Sequence, residues 1–80
     1  MVITTHTNQQ LPPIHKYKVE REPKTGKKDI RKDFKTKSEA VAYFTKYKKE
    51  YKDYYKRTGK ILLMIMFGWK DGKWHGLDRN

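Results

Sequence analysis

Residues 14–51 read IHKYKVEREPKTGKKDIRKDFKTKSEAVAYFTKYKKEY. Tyr17 and Val19 alternate with Lys16, Lys18 and Glu20, and Ile30 and Phe34 alternate with Arg31, Asp33 and Lys35. That period of two places one face of each segment on a core and the other in water. Between them lies EPKTGK, where Pro23 presets φ for a turn and Gly26 supplies the positive φ of a short hairpin loop. Thr36-Lys37-Ser38-Glu39 has the capping-box pattern. The Thr36 hydroxyl can accept an orphan N–H, and Glu39 can reach back to the N-cap. Ala40, Phe44, Tyr47, Tyr51 and Tyr54 follow on one helical stripe. The spacing predicts a helix from about Ser38 to about Arg57, closed near Gly59, with Lys56, Arg57 and Lys60 complementing its dipole. Tyr43 and Tyr55 fall off the stripe and are the candidates for exposed contacts.

Beyond the helix, residues 60–77 read as a second hairpin. Asp71-Gly72 is a type I′ turn signal inside Trp69-Lys70-Asp71-Gly72-Lys73-Trp74, so Lys70 should face Lys73 and Trp69 should face Trp74. The run Ile61-Leu62-Leu63-Met64-Ile65-Met66-Phe67 is apolar on both parities. Either the strand is buried on both faces, or its second face meets another molecule. Leu62, Met64 and Met66, with Trp69 and Trp74, form the candidate partner interface, and methionines suit an adaptable contact. Leu11-Pro12-Pro13-Ile14 could cover that face within the monomer, as could a second copy in a homodimer or a host protein. Residues 1–13 are polar and read as a flexible tail, although Val2-Ile3-Thr4-Thr5 could pair as an edge strand. The expected fold is therefore α+β. Two antiparallel hairpins pack on one long helix in the order ββαββ, as a single domain over residues 14–80.

The turn PKTGK, a basic strand and FKTKSEA opening a helix resemble the arm-type DNA-binding domain at the N-terminus of phage and transposon integrases. The resemblance spans about Tyr17 to about Tyr47. It implies a small sheet on one helix, with the sheet's outer face entering the DNA major groove. The chain departs from that pattern: a strand before Ile14 is hard to find, and the C-terminal third has no counterpart. No recombinase domain follows, so recombination activity is not expected.

The charge points the same way. The chain has 80 residues, with 20 Lys+Arg against 9 Asp+Glu, a net charge of +11 and a pI near 9.9. Residues 14–37 alone carry ten basic and four acidic side chains. Such a field attracts polyanions and raises their on-rates. A two-stranded ribbon fits the major groove, where Lys16, Lys18, Arg31 and Lys35 would face the bases. Arg21, Lys24, Lys27 and Lys28 flank the turn, where phosphates are the natural partners. Glu20 and Asp33 share the face; they could accept from cytosine N4, but pairing with neighbouring lysines across the strands is the commoner case and is expected here.

The expected function is non-catalytic binding of double-stranded DNA by a phage or mobile-element type of protein. An inhibitor of an acidic host protein is the alternative, and single-stranded RNA stacking on Tyr43 and Tyr55 is a weaker third reading. Catalysis is not expected. Ser38 is the one serine, cysteine is absent, and no HExxH, paired-carboxylate or phosphate-cradling motif occurs. His6 and His15 are isolated, so neither a metal nor a cofactor is implied. No signal-peptide pattern and no bilayer-length apolar run occur, and a cysteine-free chain suits the cytoplasm, of a bacterial host if phage-encoded.

Overall fold

A computed structural model describes residues 13–80. The possible strand at Val2–Thr5, His6 and Leu11 lie outside the described residues. The chain forms β1 (Tyr17–Arg21), β2 (Ile30–Phe34), α1 (Lys37–Thr58), β3 (Met64–Lys70) and β4 (Lys73–Arg79). All strand pairs are antiparallel in one sheet of order β2-β1-β3-β4, with α1 packed across β1, β2 and β3. The ββαββ order is as the sequence predicts.

Local chemistry accounts for each element. Thr36 caps α1 with both halves of the capping box made: Glu39 N–H donates to the Thr36 hydroxyl at 3.2 Å, and Thr36 N–H donates to the Glu39 carboxylate at 3.2 Å. Gly59, at φ 75°, ends the helix and donates to the Tyr55 carbonyl at 2.8 Å, a left-handed cap that a side chain would strain. Asp71 (φ 54°) and Gly72 (φ 79°) make the two-residue turn between β3 and β4. The first loop differs from the short turn expected. Arg21 pairs with Ile30, so residues 22–29 form an eight-residue connection, with Gly26 at φ 87°.

Val19, Ala40, Phe44, Tyr51, Met64 and Met66 form the buried core, with Tyr17, Phe34, Tyr43, Tyr47 and Leu62 packed around it. This corrects the partner-interface reading. Met64 is 0% and Met66 5% exposed, because both lie opposite β1 residues on the helix-facing side. Leu62 is half-buried against the core, and β3 begins at Met64 rather than Ile61. Leu63, Ile65 and Phe67 occupy the other parity, with Leu63 and Ile65 exposed. Ile14, at 85% exposure, covers neither side.

Polar clamps hold the start of β3. Glu22 N–H donates to the Leu63 carbonyl at 2.9 Å, and Leu63 N–H returns to the Glu22 carboxylate at 2.6 Å. The Asn80 amide accepts from Met64 N–H at 2.9 Å and donates to the Leu62 carbonyl at 2.6 Å. Among the described residues, no helix is long and apolar enough to cross a membrane.

Candidate nucleic-acid interface

Because α1 covers one face of the sheet, the opposite face is open among the described residues. The register places Lys18, Glu20, Arg31, Asp33, Ile65, Phe67, Trp69 and Trp74 on it. Trp69 and Trp74 form the expected cross-strand pair, ring centroids 5.3 Å apart and edge-on at 79°. That packing fixes the second hairpin and leaves both indoles half-exposed.

The two central cations are already partnered. Lys18 is 8% exposed, with its Nζ 2.7 Å from Glu20 and 4.9 and 4.6 Å from the Phe67 and Trp74 ring centroids. An ammonium so enclosed is neutralised by its carboxylate and stabilised by two π-faces. Arg31 donates from Nε and Nη2 to both oxygens of Asp33, at 2.7 and 3.3 Å, and lies 5.8 Å from the Trp74 centroid. The hydrogen bonds to Asp33 raise its pKa, outweighing the opposing effect of burial. The expected pairing of Glu20 and Asp33 therefore occurs, along each strand rather than across strands. Each pair is an i,i+2 contact, since alternate residues share a face.

Charge without an ion partner lies at one end of this sheet. Lys16 and Lys35 stand one residue beyond the Tyr17–Phe34 pair, and Trp69 N–H donates to the Lys16 carbonyl at 2.8 Å. That bond brings Lys16 beside the β3–β4 turn, where Lys70 opposes Lys73. Lys16, Lys35, Lys70 and Lys73 are thus gathered around the Trp69–Trp74 end, all four exposed and none in an ion pair among the described residues. Lys70 and Lys73 were outside the predicted set, although their symmetric flanking of Asp71-Gly72 places them beside the tryptophans.

At the other end the turn cations divide. Lys27 and Lys28 are exposed and unpaired among the described residues. Lys24 donates to Glu50 at 2.8 Å, which ties the loop to α1 and lowers the Glu50 pKa. Arg21 is not a turn-flanking phosphate ligand. It shares parity with Tyr17 and Val19, so it points at α1, donating to the Tyr43 hydroxyl at 2.9 Å and the Tyr51 hydroxyl at 3.1 Å. Burial opposes its charge, but those hydrogen bonds raise its pKa above the ordinary arginine value. Tyr43 is accordingly half-buried between Phe34 and Tyr47, at centroid distances of 5.1 and 4.7 Å, and not the exposed contact expected. Tyr55 is exposed, as its position off the stripe predicts.

Comparison with known proteins finds no matching family model, characterised protein or solved structure. The integrase arm-type resemblance rests on the residues quoted for it. Among the described residues no cluster of His, Cys, Asp and Glu could hold a metal ion.

Proposed function

We propose that this chain is a non-catalytic protein that binds double-stranded DNA through the open face of its sheet, of the kind encoded by phages or mobile elements. The observation that carries the reading is the set of four unpaired lysines around the Trp69–Trp74 end of the sheet: Lys16 and Lys35 share the parity of the open face, and Lys70 and Lys73 flank the turn on the other parity. Those lysines, with Lys27 and Lys28 in the long loop, contact phosphates and set the orientation on the duplex. The Arg31–Asp33 pair stands on the groove-facing surface and reads base edges only where a base offers a better partner than Asp33. Lys18 stays under Trp74 and contributes to the surface rather than to the contact. The phage or mobile-element origin rests on the arm-type resemblance alone.

Fluorescence anisotropy with duplex DNA, single-stranded DNA and RNA across a salt series tests this. Six phosphate-contacting lysines predict a log–log salt slope of about −5 for duplex DNA. Lys70→Glu with Lys73→Glu, both exposed, should weaken duplex binding and make the slope shallower by about 2. Binding that shows no preference for duplex would count against the reading. A single-strand preference abolished by Trp74→Ala would transfer the face to base stacking. Lys18→Glu with Arg31→Glu makes a poor test, because it sets like charges beside Glu20 and Asp33, the first of them at a buried position.

A further inference from the structure

A second concave surface lies off the open sheet face, where the C-terminal half of α1 meets the α1–β3 connection. It is a cleft of about 450 Å³ bounded by Tyr51, Tyr55, Ile61, Leu62, Lys48 and Lys52, with Asn80 at one side. Ile61 is 70% exposed and Tyr55 is also exposed, so apolar surface is presented in a hollow rather than scattered. The main footprint of α1 stops at β3, which leaves this flank uncovered by the sheet's outer strand.

We propose that this cleft binds an acidic segment of a partner protein, with one apolar or aromatic side chain of that segment anchored against Tyr55, Ile61 and Leu62. Charge complementarity selects the occupant. Lys48 and Lys52 are one helical turn apart on the cleft wall, and among the described residues neither is in an ion pair and no acidic side chain lines the site. The opposite flank of α1 differs, for there Glu50 holds Lys24. Residues 1–12 contain no acidic side chain, so that segment does not match the lysines. An open, largely apolar hollow with cations at its margin suits a protruding side chain followed by carboxylates. Tyr55 also offers an exposed ring to a nucleobase, the competing occupant that a single-stranded oligonucleotide tests. The proposal stands independently of the DNA reading, because it uses none of the open-face residues.

The test uses the full-length ¹⁵N-labelled protein and two short peptides of aspartate and glutamate. One has a central Leu-Phe pair and the other Ser-Ser in its place. The Leu-Phe peptide should shift the amides of Tyr51, Tyr55, Ile61 and Leu62 and bind at least about tenfold more tightly than its Ser-Ser counterpart. Ile61→Asp should remove that advantage, and Lys48→Glu with Lys52→Glu should weaken both peptides. All three positions are solvent-exposed, and circular dichroism verifies that the variants fold. Duplex DNA affinity should survive Ile61→Asp. Equal affinity for the two peptides, shifts confined to Lys27–Lys28 or Lys70–Lys73, or larger cleft shifts with a single-stranded oligonucleotide would overturn the proposal. So would a dimer that Ile61→Asp dissociates, since a second copy would then fill the cleft.

Discussion

The guanidinium of Arg21 sits 3.9 Å from the centroid of Tyr47 while donating to Tyr43 and Tyr51. The Tyr51 hydroxyl in turn donates to the Glu22 carbonyl, so one cation joins β1, α1 and the start of the long loop. Arg21→Leu should lower stability by about 1.5–3 kcal/mol, read by urea denaturation. Arg21→Lys should recover little of that loss, because an ammonium cannot stack and fork at once. Glu50 gives a pH prediction at the same scale. Its pKa is lowered by the hydrogen bond to Lys24, so its contribution is present above the unfolded-state value and fades as pH falls through the folded one. The pair is substantially exposed, which keeps the contribution below about 1 kcal/mol. An NMR titration should find Glu50 below the ordinary glutamate range, and Lys24→Met should return it upward.

Among the elements, α1 is held by its ends as much as by its stripe. Thr36→Ala removes the acceptor for Glu39 N–H and should cost about 1 kcal/mol in thermal denaturation. Strand β3 makes the sharper prediction, because its two parities have such different surroundings. Met64→Ala should cost about 2–5 kcal/mol through an internal cavity. Leu63→Ala, on the exposed neighbour, should change stability by less than about 1 kcal/mol. A larger cost at Leu63 than at Met64 would mean that β3 faces the other way. The hairpins were legible because their signals are local: alternation before and after the first loop, and Asp71-Gly72 between two tryptophans. The orientation of β3 was not legible, since a run that is apolar on both parities carries no inward or outward mark.

At the scale of the molecule, the six buried apolar residues among those described, on one helix and one sheet, make a small core, as expected at this chain length. The charge is arranged around it unevenly. Two of the nine acidic residues, Glu20 and Asp33, neutralise the middle of the open face, so unpaired cations fall at its end, in the long loop and along α1. Polyanion binding should therefore be governed by the periphery. Raising salt should weaken it steeply, while Phe67→Ala at the centre should leave the salt slope unchanged. A loss of affinity in Phe67→Ala at that unchanged slope would identify stacking at the centre of the face, and unchanged affinity a phosphate-contacting surface.

Sequence by itself determined what depends on neighbours along the chain: the strand alternation, the capping box, the Gly59 stop and the type I′ turn. Even the inward course of Arg21 was present there, in its shared parity with Tyr17 and Val19. Tertiary structure decided what depends on contacts between distant segments. Pairing of Met64 with Arg21 and of Met66 with Val19 put the methionines inside, and the Glu22 and Asn80 clamps hold the entry to β3. Packing of Trp74 over Lys18 sequestered a cation that composition alone presents as free. The physical reason is the range of the interactions: backbone geometry, caps and i,i+2 ion pairs act within a few residues, whereas burial and the stacking of side chains from different strands are settled only when the strands pair and the sheet closes against the helix.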